Sequence, residues 1–459
     1  MAEANNTAMT PEGIATTLSQ VAAWVNGRLV GDDGTFHGAG SDSRFLARGM
    51  LFIALKGPNH DGHDHVAGAA ERGAAAALVE RELAVPIPQI IVTNTLLALG
   101  QLGAAWRQQL GLPLVAITGS NGKTTTKEMT AAILSRAGKT LATRGNLNND
   151  IGVPLTLLRL DSSYRFGVIE MGANHPGEIA YLVKLARPQV AVITNAGAAH
   201  LEGFGSIEGV ARAKGEIYGA LAADGVAVIN ADDAHADLWR SLVSHCRVLS
   251  FGIDKSAEVS AQWQGDVHGS RLQLHTPAGK AEVKLALPGR HNVLNALAAT
   301  AAALAMGVGL DAVVAGLEGL APVGGRLQIR TGIQGATIID DSYNANPVSL
   351  RAGIDVLAAC KGRRFLALGD MGELGADAER LHAAAGTYAR QAGIDGLYAT
   401  GPLSREAVEA FGKGGYHFAD QQQLIAALKP ELDNGVTVLV KGSRSSRMER
   451  VVAGLTEVQ

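Results

Sequence analysis

Cysteine is scarce in this sequence: Cys246 and Cys360 are the only two in 459 residues. Two thiols exclude a disulfide framework and point to a reducing compartment. Aromatic residues make up 4% and charged residues 18%, the latter below the usual ~25%. Basic and acidic side chains nearly cancel, 40 against 43, leaving a net charge of −3. No global field of one sign draws in nucleic acid or an anionic membrane, so an anionic ligand must be held by a local site. Long apolar runs are missing too. The most apolar stretch, 296–310, is alanine-rich, too short to span a bilayer, and bracketed by Asn295 and Asp311. The N-terminal residues show no basic segment followed by an apolar one, as a secretory signal would require. A cytoplasmic protein without membrane insertion is expected.

Glycine, by contrast, is abundant at 57 residues, and apolar residues reach 47%. There is no Gly-X-Y period, which excludes collagen, and the apolar content is enough to bury a sizeable core. The length suggests about three domains. Apolar strand-like runs alternate with helical patterns almost throughout, so the expected class is α/β with parallel sheets. Three blocks follow from changes in pattern. Residues 1–110 read as a small α/β domain with strands near 51–55, 75–79 and 89–92. Residues 111–324 read as a central parallel-sheet domain, with strand-like runs at 114–117, 166–170, 190–194 and 226–229. An antiparallel appendage follows after about residue 256, and then a helix over 292–306. Residues 325–459 read as a Rossmann-like domain.

The strongest local signal is Gly119-Ser120-Asn121-Gly122-Lys123-Thr124-Thr125. It follows a buried strand and opens a helix, the context a phosphate cradle requires. Backbone N–H groups of such a turn face an anion, the lysine meets the β/γ-phosphates, and the Thr124 hydroxyl suits Mg²⁺. The spacing is G-x-x-G-K-T-T, and Ile117 stands where the usual phosphate loop has its first glycine. Glu170, ending the run 166–170, is placed either as a Mg²⁺ ligand or as a helix cap. If the chain is helical from Ser206, Lys214 falls on the apolar stripe of Ile207, Val210, Ala211, Ile217, Tyr218 and Leu221. Two readings stand for it. It snorkels to water, or burial makes it a neutral amine able to capture carbon dioxide as a carbamate, an oxygen ligand for Mg²⁺.

The run from His60 to His65 lacks the cysteines and spacings of a structural zinc site and reads as a polar ligand-binding loop. Asn292 and Asn295 lie three apart on one helix face and offer adenine a matched donor and acceptor, or one of them caps the helix. Asp340 and Asp341 close a strand where a carboxylate can take ribose hydroxyls. Arg326 and Lys441 are candidates to reach a transferring phosphoryl group. Asn346-Pro347 reads as a helix cap followed by an N1 proline, and Ser446 with Glu449 has capping-box spacing.

The segments TGSNGKTTTKEM, VIEMGANHPGEI, AHLEGFGSIEGVARAKGEI and GRHNVLNALAA, in this order, resemble the Mur ligase family. The similarity covers nearly the whole chain. GNLNNDIGVPLTLL, DDSYNANP, LGDMGELG and KGSRSSRME resemble its members that add a dipeptide. The resemblance implies an ATP- and Mg²⁺-dependent ligase joining D-alanyl-D-alanine to UDP-N-acetylmuramoyl-tripeptide through an acyl phosphate, acting as a monomer. It further implies that Ser43, Arg44, Asn59, His60 and Asp61 hold the UDP-sugar. Gly119–Thr125 would bind ATP, with Lys123 at the phosphates and Thr124 and Glu170 at Mg²⁺. His200 would sit at a second Mg²⁺ and Lys214 would carry a carbamate. Asn292 and Asn295 would hold adenine, Asp341 ribose, and Arg326 phosphate. Another carboxylate–amine ligase of the same scaffold would need different C-terminal motifs. A nucleotide-driven switch would hydrolyse ATP without either substrate.

Overall fold

The computed structural model describes residues 13–198, 201–321 and 324–456. The chain divides into two compact units. One comprises Met1–Ala116, Gly138–Ala173 and Glu178–Gln189; the other comprises Ile117–Ala137, Asn174–Gly177 and Val190–Gln459.

In the first unit, a five-stranded sheet runs in the order Arg28–Val30, Gln89–Ile91, Ala76–Val79, Leu51–Ile53, Ala39–Gly40. Its first strand is antiparallel to its neighbour and the rest are parallel. Strand Ala76–Val79 is buried throughout, which is why it reads as an unbroken apolar run. Leu78 packs with Leu99, Leu102 and Trp106 of helix Thr95–Leu110 in one core cluster, while Ala77 and Val79 face another with Phe52 and Val66. Asn94 caps that helix by accepting from the Leu97 amide. Buried Arg107 closes a neighbouring helix end, donating to the carbonyls of Ala186 at 2.9 Å and Arg187 at 3.2 Å. Burial, and then the Arg187 charge, lowers its pKa to about 10. The parallel strands Thr140–Ala142 and Phe166–Glu170 also belong to this unit.

In the second unit, Val190–Ile193, Val226–Asn230 and Arg247–Phe251 lie parallel. The last two residues of strand Leu114–Thr118 also belong to this unit, where Thr194 N donates to Thr118 O at 3.0 Å. The helix Lys123–Ser135 packs against Arg290–Ala305 and Leu310–Glu318. The alanines of Arg290–Ala305 are buried almost end to end, so it is a core helix. Among the described residues no helix is long and apolar enough to cross a membrane. The expected antiparallel appendage has three strands, Ser260–Asp266, Gly269–Thr276 and Gly279–Leu285.

The C-terminal sheet runs Gln328–Thr331, Thr337–Asp341, Val436–Lys441, Arg363–Gly369, Gly396–Thr400, Gly415–Phe418. Only its first strand is antiparallel. Period-two alternation splits the core. Leu366, Leu368 and Leu439 face one cluster with Leu350 and Ile354, while Phe365, Ala367, Val438 and Val440 face another with Leu424 and Val451. The chain passes from Thr337–Asp341 to Arg363–Gly369 over the place that Val436–Lys441 fills. The loops after Asp341, Gly369 and Lys441 therefore gather where the connections diverge, the usual crevice of an open α/β sheet.

Candidate active site

Strand Leu114–Thr118 delivers the glycine turn. Gly119 has φ +151°, and a Cβ on it would lie 1.8 Å from Thr194 Oγ1. Gly122 has φ +79°, and its Cβ would lie 2.2 Å from Asn295 Oδ1. Both glycines are thus required by close approach, and the second also by a left-handed backbone. Lys123, the first residue of the helix, folds back so that Nζ donates to Gly119 O at 2.7 Å and Ser120 O at 3.3 Å.

The loop is held by residues that follow strand Val190–Ile193. Ser120 N donates to Asn195 O at 3.0 Å. Asn121 N donates to Asn195 Oδ1 at 3.0 Å, while Asn121 O accepts from Thr194 Oγ1 at 2.6 Å and Asn195 Nδ2 at 3.1 Å. Asn230 Nδ2 donates to Thr194 O at 2.8 Å. Sequence reasoning missed Thr194, Asn195 and Asn230. The available signal was a set of polar residues at the carboxyl ends of fully buried strands.

Asn292 and Asn295 are buried beneath this loop. Asn295 Oδ1 accepts from Thr126 Oγ1 at 3.3 Å, its Nδ2 donates to Asn292 Oδ1 at 3.2 Å, and Asn292 Nδ2 donates to Pro288 O at 2.8 Å. Neither caps the helix, which begins at Arg290 after Gly289. Both amides brace the floor of the phosphate loop.

Glu170 is buried at the end of its strand. Its backbone N–H donates to Thr143 Oγ1 at 2.9 Å, and Oε1 accepts from Asn148 Nδ2 at 2.9 Å. Oε2 is buried with no hydrogen-bond partner among the described residues. A carboxylate held by one oxygen and bare at the other suits a cation. Asn148, in the run GNLNND, was not among the residues expected to act here.

Lys214 is 1% exposed, in the last turn of helix Ile207–Gly215. Snorkelling is thereby overturned: Lys214 turns inward with Val210 and Ala211 of its helix and with Ile217 and Tyr218 of the 3₁₀ turn that follows, while Ile207 at the helix start stays exposed. Burial, and then the positive charge of Lys123, lowers its pKa to about 7. His200 lies outside the described residues.

From the bend that leads into the C-terminal sheet, Arg326 Nη2 donates to Thr124 Oγ1 at 3.4 Å, and its guanidinium stands 4.5 Å from the centroid of the Tyr343 ring. Asp341 and Lys441 are buried and paired with each other; Lys441 Nζ also donates to Asn344 O at 3.0 Å. Burial pulls the Lys441 pKa down, and the Asp341 carboxylate opposes that pull. Asp340 accepts from Ser342 Oγ at 2.6 Å and Arg330 Nε at 3.1 Å. The Ser446–Glu449 capping box does not form: Ser446 Oγ donates to Asp370 O at 3.0 Å, and helix Glu449–Leu455 has no side-chain cap. Glu449 pairs with Arg444 instead, at 3.5 Å.

In the N-terminal sheet domain, Ser43 and Arg44 lie in a short 3₁₀ turn capped by Asp42. Arg44 forks onto the Asp42 carboxylate at 2.9 and 2.7 Å, holding its pKa at about 2. Asn59 and His60 are exposed at a two-strand hairpin. Asp61 accepts from the His63 amide at 2.9 Å and pairs with His63 Nδ1 at 2.5 Å, while His63 Nε2 accepts from Glu80 N at 2.8 Å. The amide bond, and then the ring, holds the Asp61 pKa at about 2.

A glycine turn between a buried parallel strand and a helix N-terminus, with a lysine and a threonine opening that helix, defines an α/β protein that binds nucleotide phosphate. Three family models match in chain order. They are "Mur ligase family, catalytic domain" over residues 35–107, "Mur ligase middle domain" over 117–303, and "Mur ligase, glutamate ligase domain" over 325–444. The chain is 48% identical over 448 residues to the UDP-N-acetylmuramoyl-tripeptide–D-alanyl-D-alanine ligase of Escherichia coli (strain K12), covering 97% of this chain and 99% of that protein. It is similar to the crystal structure of MurF from Acinetobacter baumannii, with TM-score 0.91, 39% identity, and coverage of 96% of this chain and 99% of that one. It is also similar to the MurF ligase of Thermotoga maritima in complex with ADP, with TM-score 0.83, 30% identity, and coverage of 91% and 96%. This chain belongs to the Mur ligase family.

Proposed function

We propose that this protein is the ATP-dependent ligase that joins D-alanyl-D-alanine to UDP-N-acetylmuramoyl-tripeptide, a step of peptidoglycan precursor synthesis carried out in the cytoplasm. The E. coli relative carries that name over its full length, and the T. maritima relative holds ADP. The observation that carries the reading is the meeting at Thr124. The hydroxyl that follows the loop lysine is reached by Arg326, 202 residues along the chain, from the bend before the C-terminal sheet. One site thereby joins a phosphate cradle to a guanidinium aimed at it.

The reaction must bring two anions together. An oxygen of the tripeptide's terminal carboxylate attacks the γ-phosphorus, the bond to the bridging oxygen breaks, and ADP leaves with that electron pair. The free amine of D-alanyl-D-alanine then attacks the acyl carbon, loses a proton, and expels phosphate. We assign Lys123 and Arg326 to neutralise the transferring phosphoryl. In this reading Thr124, Glu170 and Lys214, the last as a carbamate, would each offer magnesium an oxygen ligand. Bound magnesium would supply charge neutralisation on phosphate oxygens. Ser43, Arg44, Asn59, His60 and Asp61 are assigned to the UDP-sugar, and Asp61 also orders its own loop through His63. Domains of 1–110 and 111–324 are proposed to carry the UDP-sugar and the nucleotide, with 325–459 a Rossmann-like domain that opens at the Arg326 bend.

Phosphate release tests the reading. It should require UDP-tripeptide and D-alanyl-D-alanine together; steady release from ATP with neither present would favour a nucleotide switch instead.

A further inference from the structure

Asn346 uses both ends of its side-chain amide. Its Oδ1 accepts from Ser349 N at 2.9 Å, and Ser349 Oγ accepts from Asn346 N at 3.0 Å, a capping box on helix Pro347–Ala358. An amide whose oxygen caps a helix turns its nitrogen the other way. Here Nδ2 donates to Asn121 Oδ1 at 2.7 Å, across 225 residues. Asn121 must therefore present its oxygen to Asn346 and its nitrogen away from it. That nitrogen is buried and has no hydrogen-bond partner among the described residues.

The polarity of this relay is forced. Flipping Asn121 would set two N–H₂ groups against each other. Flipping Asn346 as well would set its N–H₂ against the Ser349 amide. The backbone of Asn121 is pinned on both sides, through its N–H to Asn195 and its C=O to Thr194 and Asn195. A buried donor left unpaired is costly and calls for an explanation. This one lies in the phosphate loop, two residues before Lys123.

We propose that the Asn121 side-chain amide is a donor to the terminal phosphoryl oxygens of a bound nucleoside triphosphate, and that Asn346 is the positioning residue that aims it. The proposal rests on the ATP reading above. The helix cap in the C-terminal sheet domain orients Asn346, Asn346 orients Asn121, and the donor at the end of the relay meets an oxygen that a triphosphate has and a diphosphate lacks. The cap thereby tells the phosphate loop that the C-terminal domain is docked.

Asn346→Asp separates the two roles. Aspartate caps a helix as well as asparagine does, but it has no N–H to give. Asn121 would turn its own N–H₂ toward the new carboxylate and withdraw it from the ligand. By titration calorimetry of the full chain with Mg²⁺, a non-hydrolysable β,γ-methylene ATP analogue should bind at least ~10-fold more weakly, with ADP changed less than ~2-fold. Asn346→Ser keeps a capping oxygen but replaces the amide N–H₂ with a shorter hydroxyl, and should show the same split more weakly. Asn121→Ala should match Asn346→Asp, and the double variant should be no worse than Asn121→Ala alone. Equal losses for both nucleotides, unchanged analogue binding, or additive effects in the double variant would each overturn the relay. Unmodified protein that binds neither nucleotide would instead overturn the ATP reading itself.

Discussion

The Lys214 ammonium stands 5.8 Å from the centroid of the Phe204 ring, in a site where the lysine is almost wholly buried. An aromatic face attracts a cation, yet burial and the like charge of Lys123 win, and the pKa falls to about 7. A charged amine is thus disfavoured here, and a group that converts the nitrogen to an anion for magnesium would relieve the conflict.

The first prediction concerns that amine. The folded pKa lies below the usual lysine value, so the amine is protonated below about pH 7 and free above it. A carbamate forms only from the free amine. Bicarbonate added to carbon-dioxide-depleted enzyme should raise activity above pH 7 and do little below it. Lys214→Ala should lose at least ~100-fold in kcat, with partial recovery in short carboxylic acids. Wild-type activity in that variant would end the assignment.

Lys123→Ala removes the loop cation but neither glycine. Turnover should fall by ~10³-fold, while Tm stays within a few degrees of wild type, as checked by calorimetry beside a coupled ADP assay. Near-normal turnover would refute its place at the phosphates.

Asn148 should matter through the metal. Asn148→Ala frees Glu170 Oε1 and lets the carboxylate swing. The Mg²⁺ concentration for half-maximal activity should rise ~10–100-fold, with kcat recovered at saturating Mg²⁺. An unchanged Mg²⁺ titration would leave Asn148 a packing role only.

Arg326→Lys keeps the charge but loses the planar fork that lies beside Tyr343 and reaches Thr124. Its kcat should drop ~10-fold or more, with a smaller change in KM for ATP. A pure KM effect would make it a binding residue for ground-state nucleotide alone.

Much of the site is legible in the sequence. The phosphate loop announces itself because its chemistry is local: two glycines for the backbone, a lysine and a threonine, all in one turn. Strand Leu114–Thr118 extends the expected run 114–117 by one residue, and helix Lys123–Ser135 opens directly after the glycine turn, as the motif requires. Asn346-Pro347 is a helix start in both readings. Asn292 and Asn295 show the opposite case. The sequence places two amides on one helix face, but only packing reveals that Thr126 and Pro288 engage them from below.

The sequence alone determined the class of fold, the phosphate loop and the order of the family's motifs, because each depends on residues that are neighbours along the chain. Tertiary structure alone decided which polar side chains are left wanting a partner. Among the described residues Glu170 Oε2 and Asn121 Nδ2 have no hydrogen-bond partner while the other end of each side chain is engaged, and Asp341 and Lys441 meet although they lie 100 residues apart. Whether a donor or acceptor is satisfied is a property of everything within ~3 Å of it, and the chain does not write that neighbourhood in consecutive residues.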